Sequence, residues 1–259
     1  MSSIERVIQA KLNGDNTDMR EGTDYCGEAV EMQQPTVEHQ VLFVPIGGVI
    51  GQNLSSLERG MGAVDTLDIQ GEMVEAAVDD SIKGVFLDID SPGGTVNGTP
   101  ELAEFVRSFN KPVAAFSRGM MASAAYYIGG AADVVYATPS AEVGSVGVIY
   151  PFIDSSKAYE MDGLKVDLIT AGKHKGAGYD GTSLSDEQRA LMQADVDQVH
   201  DEFKDFVTRT RDIHTDAMEG QTFSGREAQQ IGMVDIVANS REGAINSFLN
   251  NLTNEGFFA

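Results

Sequence analysis

The sequence predicts an α/β domain built around a mostly parallel sheet. Three observations point that way. Apolar runs of strand length recur between residues 41 and 170. Segments with helical apolar spacing and capping residues separate several of them. The intervals leave room for the right-handed crossovers that parallel strands require. This main domain is expected over 41–250, preceded by an arm at 1–40 and followed by a tail at 251–259.

The arm opens with Ser2 to Leu12, a short amphipathic helix by spacing. Ile4, Val7 and Ile8 share one side, and Ser2 and Glu5 stand at capping-box positions. Gly, Asn, Asp and Gln follow without periodicity, as expected for an extension that docks on a neighbouring subunit. Val41 to Ile46 is a buried strand ending in Gly47-Gly48. Leu67 to Val78 is a helix, with Met73, Val74 and Ala77 on one face and Thr66 as its cap. "GVFLDID", Gly84 to Asp90, is the next strand, and "SPGGTVNG" is a loop. Thr99 caps a further helix with Pro100 at its first position; Leu102, Phe105, Val106 and Phe109 line its inner face. "KPVAAFS" is a third strand, and "RGMMASAAYYIGG" becomes the helix after it. "DVVYATP", "EVGSVGVIY" and "KVDLIT" read as strands. Ser185 and Gln188 form a capping-box pattern at the start of a long helix. There Met192, Val196, Val199, Phe203 and Phe206 recur at spacings of four and three. "TFSGREAQQIGMVDIVAN" adds a short helix, a glycine stop and a strand.

The chain has 259 residues and a formal net charge of −22, from 18 Lys and Arg against 40 Asp and Glu. That balance excludes a basic nucleic-acid surface. It fits a solvated acidic exterior, with a high-salt habitat or a basic partner as the alternatives. One cysteine, Cys26, excludes an internal disulfide framework, and four scattered histidines show no metal-ligand spacing. The first sixteen residues contain no apolar core of signal-peptide length. The most apolar long window, Met120 to Thr138, is broken by Gly129, Gly130 and Asp133. The expectation is a chain without a membrane span, in a cytoplasm or inside a particle.

Four loops carry candidate chemistry. Ser123 stands alone among small apolar residues between a strand and a helix, where backbone N–H groups favour a developing negative charge. A serine there is also a common helix cap. "DSPGGT", Asp90 to Thr95, offers unhindered N–H groups of the kind that stabilise an oxyanion, or an ordinary turn. It lacks the spacing of a phosphate-binding P-loop. "TAGKHKGAG" supplies Lys173, His174 and Lys175. A serine nucleophile needs a base. Lysine serves only when neutral, so its ordinary value near about 10.4 must fall towards about 7–8 through burial. His174 is the rival base. Ser145, in "EVGSVGVIY", either orients a lysine amine or satisfies its own strand.

Together, "DIDSPGGTV", "MMASAAYYI", "GSVGVI" and "AGKHKGAG", in that order and followed by "FSGREAQQIGMVD", resemble the signal peptide peptidase A family of serine–lysine peptidases. The resemblance covers roughly residues 41–240. It implies the ClpP/crotonase fold of repeated β-β-α units. It also implies Ser123 as nucleophile, Lys175 rather than Lys173 as general base, and Ser145 as the auxiliary serine that positions the lysine. Oxyanion donors fall near Gly94 and at the backbone N–H of Ala124, and His174 becomes a bystander. No metal or cofactor is implied.

The chain departs from the family pattern in having Ala124-Ala125 where many relatives carry glycine, and no N-terminal anchor. The latter draws it towards the phage capsid-associated branch, the lambda protein C type. A ring-like homo-oligomer is then expected, acting in the host cytoplasm or an assembling prohead on a scaffold or portal-associated protein. Any scaffold would be a separate chain. The alternatives are a soluble signal-peptide-peptidase-like enzyme of a cell, a crotonase-like acyl-CoA enzyme, and a non-catalytic assembly protein that keeps the shell.

Overall fold

A computed structural model describes residues 21–23, 29–31 and 34–253. The chain forms two compact units. Among the described residues, one contains those up to Val146 together with those from Phe206 onward, and the other is Gly147–Asp205. The amphipathic segment at Ser2 to Leu12, Cys26 and the end of the tail lie outside the described residues.

In the first unit, β1 (Glu21–Thr23) and β2 (Ala29–Glu31) pair with each other antiparallel. β3 (Thr36–Glu38) pairs antiparallel with β4 (Val41–Gly51), so the sheet begins within the stretch expected to be an arm. Then come α1 (Ser56–Gly60), β5 (Val64–Asp65), α2 (Thr66–Val78), β6 (Gly84–Gly94) and α3 (Thr99–Arg107). β7 (Val113–Ser117), β8 (Met120–Ala122), α4 (Ala124–Gly129), β9 (Val134–Ala137) and β10 (Glu142–Gly144) follow. The second unit contributes α5 (Ser156–Met161) and most of α6 (Asp186–Thr210). The first unit is completed by a 3-10 turn at Thr215–Ala217, β11 (Thr222–Ser224), α7 (Gly225–Gln230), β12 (Ile236–Val237) and α8 (Arg241–Thr253).

The main sheet is mostly parallel, as its crossover spacing predicts. β6 is its axis. On one side it pairs with β4 along nearly its whole length. On the other, Val85–Asp88 pair with β7, and Ser91 pairs with Met121 of β8. β7 continues to β9 and β12, while β8 continues to β10 and, antiparallel, to β11. Thus one long strand serves two neighbours in succession. Only residues 118 and 119 separate those neighbours, so the sheet divides where β8 begins.

The core follows from strands buried on both faces, which read as continuous apolar runs. Phe86 is fully buried and touches Phe43, Phe116 and Phe248, with ring centroids 5.4, 6.0 and 6.1 Å apart. Each such phenyl ring contributes about 1.5–3 kcal/mol by leaving water. Phe248 and Ala244 come from α8, which the Arg241 side chain also ties to Asp88 through a 2.6 Å Nε–Oδ2 bond. The sequence reading missed α8 and ended the domain at its last turn.

Several expected boundaries move for identifiable reasons. Asp65, not Thr66, caps α2, accepting the Leu67 N–H. Gly98 in the left-handed region precedes α3, and Thr99 instead donates to the Thr95 carbonyl. The first half of the expected loop "SPGGTVNG", Ser91 to Gly94, belongs to β6. The strand expected over "EVGSVGVIY" stops at Gly144, because Gly144 (φ 120°) and Ser145 (φ 52°) turn the chain out of extended geometry. Lys165–Thr170 forms no strand; a strand exists only by pairing, and this segment joins no ladder. The Ser185–Gln188 capping box is present, with Gln188 N–H donating to Ser185 Oγ and Ser185 N–H to Gln188 Oε1.

Candidate active site

Ser123 follows β8 and precedes α4 at a corner the backbone reaches only under strain. Its φ of 53° and ψ of −124° lie where residues with a Cβ are rare, at a cost of about 1–3 kcal/mol. Its side chain makes no capping bond, so the ordinary reason for serine at a helix start does not apply. The corner is held by backbone instead: Ser123 N–H donates to Gly144 O at 2.9 Å, and Tyr127 N–H to Ser123 O at 2.9 Å. A strained strand-to-helix turn that leaves a hydroxyl uncommitted is the geometry of a nucleophile elbow.

The double glycine lies directly against this corner. A Cβ on Gly93, which has φ 99°, would stand 2.8 Å from the Ser123 Cβ and 2.9 Å from the Ala124 nitrogen. A Cβ on Gly94 would overlap the Ile50 carbonyl oxygen of β4. Both glycines are therefore required by contact, one from each side of the strand. Their N–H groups differ. Gly93 N–H donates to the buried Ser91 Oγ at 3.1 Å. Gly94 lies opposite Ile50, and the next residue, Thr95, donates to Ile50 O at 2.9 Å. In a parallel ladder that pattern turns the Gly94 N–H away from β4.

Ser145 sits one residue beyond Gly144, which pairs with Ala122 in the parallel β8–β10 ladder. Ser123 likewise sits one residue beyond Ala122. The two serines thus leave adjacent strand ends side by side. The Ser145 N–H donates to Gln221 O at 2.6 Å, which anchors this end to the β11 connection. Ser123, Ala124, Ser145 and the Gly93-Gly94 pair all come together in the first unit.

Lys175 belongs to the second unit. Its loop is a succession of tight turns through Gly172 (φ 99°) and Gly176 (φ 93°), with Lys175 N–H donating to Gly172 O at 3.1 Å. Lys173 pairs with Glu187. Partly buried His174 keeps its Nδ1 away from solvent and unpartnered among the described residues. Lys175 itself is exposed on the single chain, where a buried amine was expected. After it the loop is tied down by Asp180, which accepts from Ser155 Oγ and Tyr159 OH at 2.5 Å each. Those bonds, Ser155 first, hold the Asp180 carboxyl below the usual carboxylate range.

Sequence reasoning missed Ser91 and Asp90. Asp90 Oδ1 accepts the Met120 N–H at 3.0 Å and so fixes the start of β8. The only sequence signal for either was polarity inside "DIDSPGG". Among the described residues, no group of three or more His, Cys, Asp or Glu is arranged to hold a metal ion, and no helix is long and apolar enough to cross a membrane.

The chain matches Peptidase family S49 over residues 106–249 and the Clp protease family over residues 59–144. It is 26% identical to capsid assembly protease C of Escherichia phage lambda over 93% of this chain and 54% of that protein. It is 29% identical to a putative signal peptide peptidase SppA of Enterococcus faecium, over 82% of this chain and 65% of that protein. The chain therefore spans little more than half of the phage relative's own length. A ClpP1 mutant from Listeria monocytogenes has the same fold, with a TM-score of 0.51 at 14% identity, covering 78% of this chain and 94% of that one. The fold is the ClpP/crotonase-like α/β fold.

Proposed function

Because the chain belongs to peptidase family S49, we propose that it is a serine endopeptidase working by acyl transfer through Ser123 and Lys175. The observation that carries this reading is the Ser123 corner: positive φ, no capping bond and the Gly93 backbone in contact behind it. The neutral Lys175 amine takes the Ser123 hydroxyl proton as Oγ attacks the peptide carbonyl. The Gly94 and Ala124 N–H groups receive the oxyanion, and loss of one such donor costs about 10²–10³ in rate. As the intermediate collapses, Lys175 returns the proton to the leaving amine. Water then attacks the acyl carbon and gives a proton to Lys175, which passes it to Ser123 Oγ as the bond from that oxygen to the acyl group breaks. Ser145 hydrogen-bonds the amine and orients it.

The lysine works only when desolvated, and on the single chain it is exposed. Assembly supplies the missing cover. The second unit carries Ile149, Ile153, Met161 and Ile169 almost fully exposed. Apolar surface of that kind marks an interaction face. A ring-like homo-oligomer that buries this face and shields the site fits both observations. The relative named as a capsid assembly protease supports a head-maturation role on a scaffold or portal-associated protein, in the host cytoplasm or a prohead. Small apolar residues around Ser123 favour small or apolar residues before the cut.

A fluorophosphonate probe tests the reading on the assembled protein. Labelling of wild type, with none of Ser123→Ala, supports it. Lys175→Ala should fold, assemble and lose cleavage of a co-expressed substrate, with fragment ends read by terminal sequencing. An unlabelled wild-type oligomer identifies a non-catalytic shell. An active Lys175→Ala with an inactive His174→Ala transfers the base role to His174.

A further inference from the structure

The parallel pairing of β4 and β6 is interrupted once. Gly47 lies opposite Asp90 and Val49 opposite Gly93, so Gly48 faces both Ser91 and Pro92. Two residues against one is a β-bulge, and a bulge leaves ladder groups unpaired. Pro92 brings no N–H to the gap. The Ser91 side chain fills it. Its hydroxyl, 0% exposed, donates to Gly48 O at 2.6 Å and accepts from Gly93 N–H at 3.1 Å. One oxygen thereby joins the bulge to the glycine that touches Ser123.

We propose that Ser91 is a positioning residue that sets the oxyanion loop by holding the Gly93 N–H inward, so that the loop offers the Gly94 N–H to substrate. This rests on the serine-peptidase reading. The loop has two successive glycine N–H groups: the ladder turns that of Gly94 away from β4, and the hydroxyl is what holds that of Gly93. Glycine peptides rotate freely. The fixed Gly93 N–H removes one candidate donor, and the Ile50–Thr95 bond fixes the peptide beyond. The hydrogen bonds of the Ser91 hydroxyl run to Gly48 O and Gly93 N–H, so it acts on the site through Gly93.

The test compares Ser91→Ala, Ser91→Thr and wild type as assembled full-length protein, with a peptide substrate and a peptide boronate as tetrahedral mimic. In Ser91→Ala, kcat should fall roughly 10- to 100-fold, less than loss of a donor outright. KM should stay near wild type, and boronate affinity should fall in parallel with kcat/KM. Ser91→Thr keeps the hydroxyl and should restore kcat; if its added methyl prevents folding, Ser91→Cys retains a weak donor in its place. Amide exchange gives a readout independent of catalysis: Gly93 protection should be lost in Ser91→Ala. An active wild type whose Ser91→Ala variant keeps both kcat and boronate affinity overturns the inference. So does unchanged Gly93 protection. A wild type that neither cleaves nor takes the fluorophosphonate overturns the peptidase reading instead, and Gly93 exchange then still decides whether Ser91 holds the loop.

Discussion

Gly93 and Ser123 meet so closely that a single methyl group on the glycine would stand 2.8 Å from the serine Cβ. Real side chains do not approach to that distance, and neighbours on the Ser123 side include backbone atoms, Ala122 O and Ala124 N, that cannot swing away. Gly93→Ala must therefore displace the serine corner or the loop. It also places a Cβ at φ 99°, which costs about 1–3 kcal/mol. We expect loss of fluorophosphonate labelling together with a lower urea midpoint. Labelling at the wild-type rate would mean that the corner and the loop move independently.

Ser123 is held against its own conformational preference, and its substitution should show it. A helix-capping serine costs about 1 kcal/mol when changed to alanine. Ser123 makes no capping bond, so Ser123→Ala should change stability by less than about 0.5 kcal/mol. Ser123→Gly relieves the positive φ and should raise the denaturation midpoint, while cleavage is lost in both. A capping-sized loss in Ser123→Ala would show that the hydroxyl serves the helix after all.

These two residues also show what the sequence makes legible. Ser123 stood out because a lone hydroxyl among alanines and methionines follows a strand. The strand order around it did not, since β8 has three residues and no alternation to mark it. Ser91 to Gly94 read as a loop because proline and glycine usually end strands. Here the bulge opposite Gly48 accommodates Pro92, as edges and bulges do. Only resemblance separates Lys175 from Lys173, since two lysines two residues apart look alike in a glycine-rich loop. The sequence expected its amine buried; folding of one chain leaves it exposed, because burial there depends on what covers the loop. Helix α8 is hard to read in the sequence because its polar residues outnumber those that reach the core.

That helix provides a stability prediction. Phe248 is fully buried against Phe86, and Ala244 beside it is fully buried too. A Phe→Ala change in such a core costs about 3–5 kcal/mol. That is a large share of the 5–15 kcal/mol typical of a domain. Phe248→Ala should lower the urea midpoint strongly, and removal of α8 after Ser240 should prevent folding. An unaffected truncation would mean that α8 is an appendage rather than part of the core.

The last prediction concerns alkaline pH. Tyr126, on α4 three residues after Ser123, is fully buried, and its OH donates to Met233 O at 3.1 Å. Burial pushes its phenol well above the ordinary range, with Arg211 opposing and Asp235 adding to the rise. The fold accepts only the neutral form. Its contribution is therefore complete below the unfolded phenol's value of about 10, and it is lost as pH rises through 10 towards the raised folded value. Fully buried Tyr136, its phenol also raised chiefly by burial, acts in the same sense. Tyr126→Phe should cost about 1 kcal/mol near neutral pH for the lost hydrogen bond. Above pH about 10, its denaturation midpoint should fall less steeply than that of wild type, because one buried group no longer has to ionise on unfolding. Parallel curves for the two proteins through that range would show that Tyr126 does not contribute to the alkaline limit.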